Sequence, residues 1–404
     1  MTRLVLQAAR LYTPEDIIEP AVVTLDTELG LVTALGGGAV TGQAGEPQVD
    51  LGARVIAPGL VDVHTHGGNG RQVNGSDPEE VLGSLAEISR FYAQHGTTSW
   101  VATTVTDTPE RLLASLEGIA VAVRTGEGVP TGARVVGAHL EGPYIARARL
   151  GAQDPTRLRM PDPDEFEELV AVSEGTVRLI TLAPELPGAL DLIALARSEG
   201  VAVALGHTDA DFDTARQAFD AGATHVTHLF NAMAPMHHRK PGLVGAALTT
   251  AGVTVELIAD LEHVHPAVLQ LAASAAPGRI VAVTDSVAAA GLAAGRHQLG
   301  TMDVTVSGRR VELTRDPATL AGSLLTLDVA VANLVSSVGL SPAEALRAAT
   351  ATPGRIVEQA GGPKGLGRLE VGGPADLVIL EPDLSVAATI VAGRVVHDPS
   401  GLVS

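Results

Sequence analysis

The sequence predicts an α/β fold: a (β/α)8 TIM-like barrel with a small β-sandwich domain formed from both termini. Three observations predict it. Through the middle of the chain, short apolar runs alternate with helical patterns. Both ends carry strand patterns only. Metal-ligating residue types recur at the ends of several central strands. At 404 residues the chain is too long for one small domain and fits a large barrel plus an accessory module.

Taken in order, residues 1–57 show strand patterns at 4–8, 21–25, 31–35 and 54–56, parted by turn residues, with Gly36-Gly37-Gly38 read as a turn. Similar patterns return at 375–380 and 388–396. Segments 1–57 and 365–404 are therefore expected to form one small sandwich, with 58–364 inserted as the barrel. Within the insert, strands are expected at 60–63, 97–101, 135–140, 177–182, 201–205, 225–229, 253–258 and 279–283. Helices are expected at 78–94, 110–123, 164–173, 189–198, 211–221 and 266–275. Helical crossovers between successive strands imply a parallel sheet, and eight such units are the size of a barrel. An open doubly wound sheet is the structural alternative. No Gly-x-Gly-x-x-Gly leads an early strand into a helix, so its nucleotide-binding version has little support.

Composition narrows the function. Hydrophobic residues make up 46% and aromatics only 2%, so the core must be built from Ala, Val and Leu. Lys and Arg number 27 against 46 Asp and Glu, a net charge of −19, which argues against nucleic-acid or anionic-membrane partners. An anionic substrate must then meet a local cluster of positive charge. With 0 cysteines, thiolate metal sites, disulfides and cysteine nucleophiles are excluded. Neither a leader pattern nor a bilayer-length apolar run is present, and a cytoplasmic protein is expected.

The strand ends carry the chemistry. In Leu60-Val61-Asp62-Val63-His64-Thr65-His66, the alternation of a strand points His64 and His66 the same way. Later strands end in His139-Leu140-Glu141-Gly142-Pro143, Gly206-His207-Thr208, His225-Val226-Thr227-His228 and Thr284-Asp285-Ser286. An isolated histidine is more often a satisfied core residue; this recurrence at five strand ends points to a metal site. Its nitrogen and oxygen donors suit zinc, iron, manganese or cobalt. His139, two residues before Glu141, is placed to orient a ligand, whereas His225 faces away and is expected to be structural.

At these residues the chain resembles the amidohydrolase superfamily and, within it, the N-acetylglucosamine-6-phosphate deacetylases. The narrower resemblance rests on Thr227-His228-Leu229-Phe230-Asn231-Ala232-Met233, Arg239-Lys240-Pro241-Gly242, Asp260-Leu261-Glu262-His263-Val264 and Leu320-Ala321-Gly322-Ser323, in order over nearly the whole barrel. It implies metal-dependent hydrolysis of the acetamide of an amino-sugar phosphate. It also implies that Glu141, His207 and His228 bind the principal metal and that Asp285 is the general acid/base. Ala152, Gln153, Asn231, Ala232, Arg239 and His263 would meet the substrate, with Leu320, Ala321 and Gly322 at the acyl end. In the family the arginine reaches across a dimer interface, so a homodimer is implied.

The chemistry is coherent. A bound divalent metal, zinc foremost, lowers the pKa of water toward ~7 and polarises an acyl oxygen. Asp285 can carry the proton from water to the leaving amine, and Arg239 and His263 offer positive charge for a phosphate. Two departures stand out. His64-x-His66 is retained although some family members lack it, so a second ion, bridged by Glu141, is compatible with the donors. Gln153 stands where the family often has a sugar-contacting histidine; it can donate and accept but not carry charge. Two other readings share these ligands. A cyclic-amide hydrolase or purine deaminase would not need Asn231, Arg239 and His263, and a non-catalytic scaffold would not need the full ligand set.

Overall fold

Eight central strands pair side by side in chain order in a computed structural model of the protein. They are Leu60–Thr65, Thr97–Thr104, Arg134–Glu141, Val177–Leu182, Ala202–Leu205, His225–Val226, Thr254–Ile258 and Ile280–Val283. The structure describes residues 3–38, 47–126 and 131–403; residues 1–2, 39–46, 127–130 and 404, including the extreme ends of the expected terminal sandwich, lie outside it. Each neighbouring pair is parallel. The ring is joined between strands eight and one by a Thr65–Ser286 bridge and by the Asp285 N–H donating to the His64 carbonyl at 2.9 Å.

These strands are buried on both faces, the outer one under helices. Helix Pro78–Ala93 shows how a crossover is built. The Asp77 carboxylate caps the N–H groups of Glu79 and Glu80, Pro78 occupies the first turn, and Val81, Leu85 and Ile88 face inward. Ala, Val, Leu and Ile dominate the resulting core, as the low aromatic content demands. Its largest buried side chain, Trp100, donates to Ser89 Oγ at 3.1 Å.

The expected strands and helices are present, with instructive differences. The sixth strand is only His225–Val226, not 225–229, because the chain leaves extended geometry and reaches φ 28° at His228. After strand eight comes a four-stranded antiparallel sheet that sequence patterning missed: Gly295–Leu299, Met302–Ser307, Arg310–Leu313 and Asp316–Leu320. Its Val304, Val306, Val311 and Leu313 pack against Val287, Ala289 and Val105, over the C-terminal mouth of the barrel.

The two ends of the chain supply a four-stranded and a six-stranded sheet. Leu6, Val23 and Leu25 of the first and Leu11, Ile56, Leu377 and Ile379 of the second share one core. Strand Leu377–Leu380 runs antiparallel to Val55–Pro58, so the C-terminal segment grips the residues that feed barrel strand one. Gly59 joins them, and a Cβ there would lie 2.1 Å from Thr98 Oγ1, so only glycine fits. Gly36 and Gly37 continue strand Leu31–Gly37 opposite Val22 and Ala21 instead of forming the expected turn. The 388–396 pattern is two strands, parted by Ala392 and Gly393 at φ 48° and 72°. Among the described residues, no helix is long and apolar enough to cross a membrane.

Candidate active site and metal centre

His64 and His66 project from one face of barrel strand one, and both rings are buried. His64 Nδ1 lies 2.9 Å from Glu256 Oε2, His66 Nδ1 lies 3.1 Å from the Thr103 carbonyl, and His207 Nδ1 lies 2.9 Å from the Arg149 carbonyl. Each of these partners accepts, so each Nδ1 is assigned the proton and each Nε2 a lone pair. Those Nε2 atoms converge. His64 and His66 approach to 3.3 Å, and His207 and His228 to 3.0 Å. The lone-pair nitrogens of His64 and His66, this close, need a cation or a proton between them.

Glu141, at the end of strand three, lies between the pairs. Its Oε1 is 3.1 Å from both His207 Nε2 and His228 Nε2, and its Oε2 is 3.3 Å from His66 Nε2. Asp285 Oδ1 is 3.2 Å from His66 Nε2 and 3.5 Å from His64 Nε2. The donors thus form two cradles, His64/His66/Asp285 and Glu141/His207/His228, each with ligand atoms within 4.8 Å of one another. All are nitrogen or oxygen donors, and these cradles fit divalent cations.

The electrostatics agree. Burial pushes the Asp285 carboxyl up, but His64 and His66 outweigh it and hold it below the usual range. Burial likewise opposes ionisation of Glu141, which His207 and His64 nevertheless hold well below that range. Burial pushes His66 down, yet Asp285 and Glu141 raise it to about 9. Buried carboxylates here demand positive charge, which either protons on histidine or a metal must supply.

Backbone geometry marks the same residues. His207, His228 and Asp285 have φ of 48°, 28° and 47°, and Ala232 and Phe230 are also left-handed. Such conformations cost about 1–3 kcal/mol each and persist where surrounding structure over-determines them.

Beneath the cradles lies a residue that sequence reasoning did not single out. The fully buried Glu256 accepts from His64 Nδ1, from His225 Nε2 at 2.9 Å and from the His228 backbone N–H at 3.0 Å. A glutamate inside the apolar run Thr254-Val255-Glu256-Leu257-Ile258 was the available signal. His225 is therefore not merely structural on a far face; it secures the acceptor that secures His64. His139 packs edge-on against His64 with ring centroids 4.8 Å apart, and bonds Thr181 Oγ1 at 2.8 Å rather than touching Glu141.

A cavity of about 290 Å³ opens over the cradles. His66, Glu141, His207, His228 and Asp285 form its floor, and Ala152, Gln153, Asn231, Ala232, His263, Leu320 and Gly322 line its walls. His64 lies behind His66, out of the lining. Leu299 and Ala318–Leu320 of the inserted sheet close one side. His263 Nδ1 lies 2.7 Å from Asp260 Oδ2; burial disfavours the imidazolium, but Asp260 raises its pKa. Two predicted residues are not brought together with the rest. Ala321 is buried in the core of the inserted sheet, and Arg239 is exposed beside His238, Nη1 to Nε2 2.8 Å, away from this chain's own cavity. A larger cleft of about 750 Å³ lies at the opposite mouth, beside Arg197, Arg279 and Arg355. It carries no carboxylate or imidazole to activate water, and barrel enzymes place chemistry at the C-terminal end.

Comparison with known proteins is consistent with this geometry. The profile of the amidohydrolase family matches residues 55–396. The chain is 40% identical over 355 residues to a human N-acetylglucosamine-6-phosphate deacetylase, covering 86% of this chain and 84% of that one. It is also 40% identical over 342 residues to an N-acetylgalactosamine-6-phosphate deacetylase of Escherichia coli O157:H7, covering 85% and 88%. The Mycobacterium smegmatis N-acetyl-D-glucosamine-6-phosphate deacetylase, solved with N-acetyl-D-glucosamine-6-phosphate, superposes with a TM-score of 0.89 at 36% identity, covering 98% of this chain and 100% of that one.

Proposed function

This chain belongs to the amidohydrolase family, and on that premise we propose that its site hydrolyses the acetamide of N-acetylglucosamine-6-phosphate, giving glucosamine-6-phosphate and acetate. The observation that carries this reading is the placement of two cradles joined by Glu141 and of a cationic His263 on one cavity. The 58–364 segment is the catalytic barrel, and 1–57 with 365–404 form the accessory sandwich, a division supported by a second core drawn wholly from the two ends, although Tyr12, Val55, Ala57, Leu366, Val378 and Leu380 pack into the barrel's core.

Glu141, His207 and His228 would hold one divalent cation, and His64, His66 and Asp285, with Oε2 of Glu141, a second. Zinc is the first choice; iron, manganese and cobalt suit the same donors. A cation held there supplies Lewis acidity toward the acetyl oxygen and acidifies water toward pKa ~7. Asp285, ionised at neutral pH, takes the water proton and passes it to the departing nitrogen. The C–N bond breaks as that nitrogen leaves as an amine, and the acetyl carbon keeps the water oxygen. Asn231, Ala232 and His263 hold the sugar phosphate, Ala152 lies beside the sugar, and Leu320 and Gly322 pass the acetyl group.

Arg239 lies outside its own cavity and is assigned to the phosphate of a partner subunit's site in a cytoplasmic homodimer. Arg239→Ala is expected to raise KM roughly tenfold, about the strength of one charge-assisted hydrogen bond to phosphate. Metal content should stay unchanged. A monomeric wild-type protein with full activity would sink the assignment.

The Asp260–His263 pair gives a pH prediction. Because Asp260 raises the His263 pKa, the imidazolium persists as pH rises past ~6.5, the ordinary histidine value. KM should therefore stay flat as pH passes ~6.5 and climb only at higher pH. Asp260→Asn removes the raising charge and leaves the burial that disfavours the imidazolium, so KM should climb at lower pH than in wild type. Superimposable KM–pH profiles would refute the pairing.

The function is tested by acetate release from N-acetylglucosamine-6-phosphate, its 4-epimer N-acetylgalactosamine-6-phosphate and unphosphorylated N-acetylglucosamine, with metal content measured on the same sample. Release from phosphorylated sugars alone supports the reading, and the epimer arm sets the sugar preference. No release from any, with metal bound, favours a cyclic-amide hydrolase or deaminase.

A further inference from the structure

We infer that Gln153 is a positioning residue for Glu141, turning Glu141 Oε2 toward the His64/His66/Asp285 cradle and setting how tightly that cradle holds its cation. The inference rests on the two-cradle reading above. It replaces the sugar contact expected at this position.

Both ends of the Gln153 side chain are committed. Its Oε1 accepts the Thr106 backbone N–H at 2.8 Å, and only the amide oxygen can accept there. That fixes the amide orientation and leaves Nε2 to donate to Glu141 Oε2, at 2.6 Å. The side chain is buried at the cavity wall, and at most one N–H remains for a substrate hydroxyl.

The two oxygens of Glu141 are thus held separately. Oε1 faces His207 and His228, both at 3.1 Å, and lies 3.4 Å from His64 Nε2, whereas Oε2 has Gln153 on one side and His66, at 3.3 Å, on the other. Rotation about the last torsion of a glutamate is soft. Without the Gln153 donor, Oε2 is free to swing toward the His207/His228 cradle and abandon the other. Gln153 consumes one lone pair of Oε2 and leaves another for a cation beside His66.

The loop around Gln153 is built to reach both elements. The Arg149 carbonyl accepts from His207 Nδ1. Gly151 follows at φ 55°, where a Cβ would lie 3.3 Å from His207 Cε1. Thr106, whose N–H holds Gln153, also donates its hydroxyl to the Glu141 carbonyl at 3.3 Å. One short loop therefore supports a ligand of each kind, His207 through a carbonyl and Glu141 through an amide.

The test is calorimetric titration of zinc into metal-free wild type, Gln153→Ala and Gln153→Met, with Tm of each metal-free chain as the folding control. The alanine variant leaves room for water, and the methionine variant keeps the volume without a donor. Wild type is expected to bind two ions. Each variant should keep one at wild-type affinity and hold the second about 10–100-fold more weakly, the usual cost of losing a hydrogen-bond partner behind a metal ligand. KM for the sugar phosphate at saturating zinc should move less than about threefold, a shift below ~0.7 kcal/mol. Two ions retained at wild-type affinity, with KM raised tens of fold, would overturn the inference and restore the sugar contact. Wild type binding fewer than two ions would overturn the two-cradle reading and this inference with it.

Discussion

Asp285→Asn is expected to lower kcat for acetate release by about 10²–10⁴-fold, the usual contribution of a positioned acid/base, with KM near wild type. The backbone around the substitution is held independently of the side chain. The Asp285 N–H donates to the His64 carbonyl at 2.9 Å, and its carbonyl accepts from the Ser323 N–H at 2.8 Å. Asparagine therefore takes the same place and shape but cannot take up a proton. One consequence was not foreseen from sequence. Because Oδ1 also faces His64 and His66, a neutral amide there weakens the second cradle, while Glu141, His207 and His228 keep their ion. The variant should thus contain about one ion per chain and still fail to turn over. Added metal separates the two effects: turnover should stay low at saturating zinc. The wild-type carboxyl lies below the usual range, so it is ionised throughout the neutral region and its acidic limb falls below pH ~4. Near-normal turnover of the variant at saturating zinc would remove Asp285 from the proton-transfer role.

Much of this site was legible because strand-end chemistry is written locally. Two histidines two apart on a strand must share a face, and alternating strands and helices must give a parallel sheet, so His64, His66, Glu141, His207, His228 and Asp285 could be placed at one end of one barrel before any coordinates. What the sequence hid was non-local. His225 and His228 were assigned opposite faces from their spacing, but the chain abandons extended geometry at His228, so that the His225 ring and the His228 backbone N–H both meet Glu256. The inserted sheet alternates visibly at Met302-Asp303-Val304-Thr305-Val306-Ser307, yet nothing local says that it folds back over the barrel mouth. The bond from Gln153 to Glu141 was hidden because the two are twelve residues apart and on different elements. Ala321 followed a motif into the acyl end on paper; in the fold its side chain is buried among Val287, Leu299 and Val311. Periodicity finds the face of an element. It does not find which buried groups complete each other's hydrogen bonds.

Glu256 carries the second large expectation, and it separates stability from metal binding. Glu256→Ala removes an acceptor shared by three buried donors: His64 Nδ1, His225 Nε2 and the His228 N–H. Stranding one partner of a buried ionic pair costs about 3–5 kcal/mol, and urea unfolding should show a loss of that order. Glu256→Gln is the sharper probe. An amide has one oxygen, so its NH2 must face a ring nitrogen that formerly donated. His64 Nδ1 and the His228 backbone N–H both meet Oε2, and a backbone N–H can only donate, so the amide oxygen takes that place and the NH2 faces His225 Nε2, whose ring must move its proton to Nδ1, 2.6 Å from Thr254 Oγ1. The glutamine variant should therefore lose less stability than the alanine variant and, with His64 keeping its Nδ1 proton, hold the second zinc near wild-type affinity, whereas the alanine variant should hold it about 10–100-fold more weakly. The pH dependence follows from the same contacts. Burial pushes the Glu256 carboxyl up, but His64 and His225 outweigh it and keep it well below the usual range. Its stabilisation is then full above the unfolded value of ~4.3 and fades only as pH falls toward the folded one. The glutamine variant, having no carboxylate to protonate, should lose less stability than wild type between pH 5 and pH 3. Wild-type affinity for the second zinc in Glu256→Ala would show that His64 does not depend on Glu256 for its tautomer, and the support assigned to this carboxylate would fall.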